Sequence, residues 1–231
     1  MRVRSLGVAA LVLFMAGPGF AQEEWAEYVS RTDGFKCNFP GEPQITETTF
    51  RSEYGADLPA RVYGVMQGQS RYSVMVVDYG PIERILTEKS KACPAGAEPC
   101  RGDPRIAGYG YWQIDVRGAT TYATWLFLQR DAKLTHLMWN NTDLVAGNQL
   151  QMTNRDESRS FVAIYMHENR LYILEGRVPK GYPDPGLFQQ SLGFVDKDGN
   201  GIRYQFFYSY GFPAPPRTQG GQGGGQGVPP R

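Results

Sequence analysis

Six consecutive residues, Asp196-Lys197-Asp198-Gly199-Asn200-Gly201, carry the most suggestive metal chemistry in this chain of 231 residues. Oxygen donors at alternate positions and glycine at the sixth place match the opening of an EF-hand calcium loop. The match breaks at the twelfth place, where Phe207 stands instead of a bidentate glutamate. Asp198-Gly199 and Asn200-Gly201 are also favoured turn pairs. A plain turn is therefore expected; a calcium-responsive module using Asp196, Asp198 and Asn200 is the competing reading, and Ca2+ is the one cofactor the pattern suggests. Acid–base chemistry has two possible centres, since the chain has only two histidines. His136 lies in the strand-like run Leu134-Thr135-His136-Leu137-Met138-Trp139, and His167 precedes Glu168 at a hairpin edge. Either could serve a small hydrolase if the fold brought it a carboxylate, such as Glu168 or Asp115. No nucleophile elbow, zinc-ligand helix or phosphate-binding glycine loop accompanies them. Gly108-Tyr109-Gly110-Tyr111-Trp112 is not expected to hold phosphate, because strands rather than a helix are expected to follow it. Both histidines are read as structural, and no catalytic residue is assigned.

Thiol chemistry divides three cysteines unevenly. Cys93 and Cys100 bracket the turn-rich Pro94-Ala95-Gly96-Ala97-Glu98-Pro99, and an oxidising compartment would close them as a disulfide. With no histidine nearby, a metal site is the weaker alternative for the pair. Cys37 alternates with Phe35 and Phe39 on one face and is expected to be a free thiol in the core. Aromatic residues offer a recognition surface. Tyr204, Phe206, Tyr208 and Tyr210 would share one face of a last strand, and Tyr109, Tyr111 and Trp112 cluster elsewhere. Exposed, they could form a platform for a glycan or peptide; buried, they would only pack, since sheets favour aromatics.

The elements that must position these groups are mostly strands. Residues 25–30 are read as a short lead-in, after which period-two alternation marks 35–39, 45–52, 60–67 and 72–79, the last two as a hairpin. Pro81 opens a helix that continues through Ile82-Glu83-Arg84-Ile85-Leu86. Further strands are expected at 111–117, 120–129 and 134–139, with Gly118-Ala119 as a turn. The polar stretch 143–158 is read as a loop or irregular helical turn. A hairpin joins 161–167 to 171–178, a short helix covers 185–192, and a last strand covers 202–210. Strands joined in order by short turns make an α+β fold, mainly an antiparallel β-sheet with two or three flanking helices.

The chain ends set the compartment. Arg2 and Arg4 precede the apolar run 6–16, and Gly19 and Ala21 are the small residues before a cut, so 1–21 is expected to be a cleaved signal peptide. Residues 22–212 form one α+β domain, and the Pro/Gly/Gln-rich 213–231 is a disordered tail. Removing Arg2 and Arg4 takes the 24 basic against 23 acidic groups to 22 against 23. That balance excludes nucleic acid as a partner. After cleavage the protein is not expected to be an integral membrane protein, and it is placed in the periplasm or outside the cell.

Trp25, Tyr28, Gly34-Phe35, Phe39-Pro40-Gly41-Glu42-Pro43 and Phe188-Gln189-Gln190-Ser191-Leu192-Gly193-Phe194 carry a resemblance. Over residues 25–212 the chain resembles a broad group of uncharacterised exported bacterial proteins (alphaproteobacterial type) and, more loosely, the PsbP-like α/β/α sandwich. The resemblance implies a sheet with flanking helices in a Gram-negative periplasm. It also implies a non-catalytic binding or assembly factor of the cell envelope, whose partner is an envelope protein or a glycan. The small hydrolase and the calcium module are the alternatives.

Overall fold

The structure is a computed structural model that describes residues 25–91 and 110–209. Cys93, Cys100, Tyr109, Tyr210, the signal segment and the tail lie outside the described residues, as does the side chain of Tyr111. The fold is α+β, with two antiparallel sheets. Strands β3 (Gln44–Arg51), β4 (Asp57–Gln67), β5 (Ser70–Asp78), β6 (Ala132–Thr142), β7 (Val145–Asn154), β8 (Arg159–His167) and β9 (Arg170–Val178) form a seven-stranded sheet in the order β3-β4-β5-β9-β8-β7-β6. Strands β1 (Ala26–Ser30), β2 (Phe35–Phe39) and β10 (Gly193–Phe194) form a second sheet in the order β1-β2-β10.

The large sheet is covered on both faces, so its central strands are apolar at nearly every position; β8 is buried from Ser160 to His167. Tyr72, Val74, Val76, Tyr172 and Leu174 face the small sheet with Phe35, Cys37, Phe39 and Phe194. The alternate residues Val77, Ile164, Leu171 and Ile173 face helices α1 (Ile82–Lys91) and α2 (Gly110–Leu128). A one-turn helix, α3 (Gly186–Gln189), fills the first core with Phe188, and its buried Gln189 Nε2 donates to the carbonyls of Leu150 (3.1 Å) and Val162 (2.7 Å). Cys37 is the buried free thiol expected of it: its sulfur lies 3.0 Å from Ser191 Oγ, and burial pushes its pKa up to about 12. Among the described residues no helix is long and apolar enough to cross a membrane.

Four expectations are corrected. The strands expected at 111–117 and 120–129, and the turn at Gly118-Ala119, are one helix, α2. Its β-branched and aromatic residues favour strands locally. Val116, Ala119, Ala123 and Phe127, however, recur at helical spacing and are buried on the sheet, and that packing overrides propensity. Helix α2 begins inside the run Gly108-Tyr109-Gly110-Tyr111-Trp112, at Gly110, so the expectation that nothing helical follows there does not hold. The polar stretch 143–158 holds strand β7. Asp143 and Leu144 take positive φ of 49° and 64°, the conformation of a two-residue hairpin turn, and join it to β6. Residues 25–30, expected as a lead-in, include strand β1. Residues 202–209 make only isolated bridges, as Val145 does with Tyr208, and are not a strand.

Candidate functional site

His167 ends β8, buried in the first core. Its Nε2 lies 2.7 Å from the Tyr204 hydroxyl, and its ring packs on Phe194 with centroids 4.3 Å apart. The backbone N–H of Glu168 donates to the Tyr208 hydroxyl at 3.3 Å. Tyr204 and Tyr208 are buried and stacked at 5.1 Å. Two of the tyrosines considered for a binding patch thus build the wall around this histidine instead of facing solvent. His136 stands exposed on β6 opposite Gln151. Neither histidine lines the cleft beside α2 described below.

The Asp196 loop is organised as a turn. Asp196 Oδ1 accepts the backbone N–H groups of Asp198 and Asn200, each at 2.9 Å, and Oδ2 accepts Asn200 Nδ2 at 3.3 Å. These bonds, the Asn200 N–H first, hold the carboxyl below its usual pKa. Both carboxylate oxygens of Asp196 are thus engaged by the loop itself. Among the described residues no group of three His, Cys, Asp or Glu side chains could hold a metal ion.

Asp115 joins neither histidine. It is buried in α2, where its Oδ2 accepts the Ser52 hydroxyl at 2.5 Å and the Tyr54 N–H at 3.3 Å. Its Oδ1 and the hydroxyl of buried Tyr79 have no hydrogen-bond partner among the described residues. Burial raises the Asp115 pKa above 3.8 despite those bonds. Because the raised value belongs to a carboxyl group, the native state gains stability as pH falls through the folded pKa towards 3.8, and carries the charge as a burden above it. Asp115→Asn keeps the Ser52 bond and removes the charge. It is expected to raise stability at neutral pH by about 1 kcal/mol, roughly 3 °C in Tm, and to abolish the gain on acidification. Thermal melts of both proteins across mildly acidic pH measure this; a lower Tm for the variant at neutral pH would refute it.

Three further sites escaped sequence reasoning. One is polar: Asp33, in the β1–β2 turn, is enclosed by Ser30, Arg61, Tyr63 and Tyr172. The second is a cleft of about 420 Å³ between the end of α2 and strands β4, β5 and β9. The third is an edge. Among the described residues strand β6 has only β7 beside it, and Leu134, Leu137, Met138 and Trp139 are exposed along it. Phe206 and Phe207 are exposed too, and Phe207 packs against Trp139 with centroids 5.4 Å apart. The exposed aromatic surface therefore exists but belongs to Trp139, Phe206 and Phe207. Of the residues first considered for it, Trp112 packs half-buried against the helix-side core. The apolar content of 134–139 was visible in the sequence; that no described strand lies on its outer side depends on topology.

No model of a protein family and no curated protein sequence matches the chain. Among solved structures it is similar to cyanobacterial PsbP (CyanoP) from Synechocystis sp. PCC 6803. The TM-score is 0.40 at 13% identity, covering 78% of this chain and 98% of that one.

Proposed function

We propose that this protein is a non-catalytic binding or assembly factor of the cell envelope, exported to the periplasm, which docks an extended segment of an envelope protein on strand β6. The open edge of β6 carries the reading. Exposed strand edges invite pairing with other chains, and proteins blunt them with charges, prolines or bulges. At the opposite edge, β3 carries Glu47 and Arg51, follows Pro43, and ties Arg51 to Asp57 at 3.1 Å. Past Lys133, β6 carries no Lys, Arg, Asp or Glu along its length; its one bulge lies between Leu134 and His136, and it keeps four large apolar side chains in solvent. An added strand would use the unpaired backbone for affinity and contacts with the exposed side chains of Leu137 and Trp139 for selectivity.

A photo-crosslinking side chain at Thr135 is expected to capture one recurrent envelope protein through an extended segment, and the same probe at Glu47 is expected not to. Leu137→Lys should weaken binding of that protein by tenfold or more with an unchanged melting temperature, because apolar anchors dominate such interfaces. Equal capture from both edges, or full affinity in Leu137→Lys, would overturn the proposal.

A further inference from the structure

The cleft beside α2 is graded from apolar to cationic by strand register. Period-two alternation puts Arg71, Ser73 and Met75 of β5 on the helix side of the sheet, and Ile173, Glu175 and Arg177 of β9 beside them. Antiparallel pairing then makes three rungs, Met75 opposite Ile173, Ser73 opposite Glu175, and Arg71 opposite Arg177. Helix α2 ends at Leu128, so Phe127 caps the apolar rung while the arginine rung stays open at the mouth.

Two arginines directly opposite each other on neighbouring strands repel, an arrangement a sheet does not adopt for its own stability. The local acids leave one of these two charges uncancelled. Glu175 is engaged by Arg130 at 2.7 Å, whose guanidinium also lies 3.8 Å from the centre of the Phe127 ring, and by the Ser160 hydroxyl at 3.1 Å. Arg177 turns to Asp156 at 2.6 Å and to Ser158 Oγ at 2.9 Å. Arg71 has no ion pair or hydrogen bond from its side chain among the described residues, and it lines the cleft as well as a second cavity beside Glu42.

We propose that this cleft binds a small amphipathic anion, an apolar body with one carboxylate or phosphate head, with Arg71 and Arg177 receiving the head and Phe50, Met75, Phe127 and Ile173 surrounding the body. Its volume of about 420 Å³ lies within the range of small-molecule sites. A guanidinium pair matches the planar, bidentate geometry of such heads. The site is separate from the β6 edge and does not depend on that reading.

Calorimetric titration of the purified full chain tests it with four probes below their aggregation limits: laurate, lauryl phosphate, lauryl alcohol and inorganic phosphate. Saturable binding is expected for one or both anionic amphiphiles, and their ratio identifies the head. Lauryl alcohol and inorganic phosphate should bind at least tenfold more weakly, and added salt should weaken the amphiphiles. Arg71→Gln should lose tenfold or more with an unchanged Tm, and Arg71→Lys should recover part of that loss. No binding of either anionic amphiphile, equal binding of the alcohol, or full affinity in Arg71→Gln would overturn the proposal.

Discussion

Asp33→Ala is expected to destabilise the fold by about 3 kcal/mol, roughly 10 °C in Tm. The carboxylate is almost wholly buried in the turn between β1 and β2, yet it is charged. Burial alone would raise its pKa; hydrogen bonds from Arg61 and Tyr63 outweigh that and hold it below 3.8. Arg61 reaches it with both Nε (2.7 Å) and Nη2, and the Tyr63 hydroxyl donates at 2.5 Å. Ser30 Oγ accepts the Asp33 N–H at 3.2 Å, and the Asp33 carbonyl accepts the Tyr172 hydroxyl at 2.7 Å. Arg61 and Tyr63 belong to β4 and Tyr172 to β9, so this one turn fastens the small sheet to two strands of the large one.

Alanine would leave the Tyr63 hydroxyl and the Arg61 guanidinium without their acceptor. The loss stays near the lower end for a broken buried pair because Arg61 is 37% exposed and can turn to water. The sign of the pH effect follows from the lowered value. The stabilisation is present above 3.8 and lost as pH falls through the folded pKa, so acid unfolding of the native protein should be steeper than that of Asp33→Asn. Urea titrations at neutral and acidic pH measure both effects. A loss below about 1 kcal/mol at neutral pH, typical of an exposed pair, would show that the turn does not fasten the sheets.

Gly147→Ala should be at least as damaging, about 3 kcal/mol or more. Gly147 lies on β7 opposite Tyr165 of β8. A methyl group there would sit 2.2 Å from the Ile164 carbonyl oxygen and 2.3 Å from the Tyr165 ring. The first obstacle is backbone, and Tyr165 is buried in the core, so neither can give way without moving a strand. Because β6 hangs on β7, displacement should also loosen the outer edge, readable as faster hydrogen exchange along β6. Gly64→Ala is the control: nothing lies within 4 Å of the added carbon, and a change below about 1 kcal/mol is expected. Similar melting of the two variants would contradict the steric account.

The hairpins were legible because each carries its own signal. The β4–β5 pair alternates on either side of Gly68, whose φ is 59°, and the β8–β9 pair turns at Glu168 and Asn169, both with positive φ. Helix α2 was not, because Ile114, Val116, Thr120, Thr121 and Tyr122 read locally as strand, and only contact with the sheet decides against them. Strand β7 was hidden by Asn148, Gln149 and Gln151, which interrupt its buried Leu150 and Met152. Histidines and acids drew attention as chemistry, and most proved to be fastenings, His167 to Tyr204 and Asp115 to Ser52. The arginine rung could not be read at all. Arg71 and Arg177 look unrelated until the register of β5 against β9 sets them side by side.

The strand order also carries a consequence for the time course of folding. Phe35 pairs with Phe194, and β5 pairs with β9, so the ends of the described chain are knitted together at the centre of the molecule. A ribosome delivers the β1–β2 hairpin long before its neighbouring strand, β10, exists. Until residues near Tyr204 emerge, the first core lacks Phe188, Phe194 and the Tyr204–Tyr208 stack, and the loops to be closed are long. The growing chain therefore completes its core only once nearly all of the described chain has been synthesised.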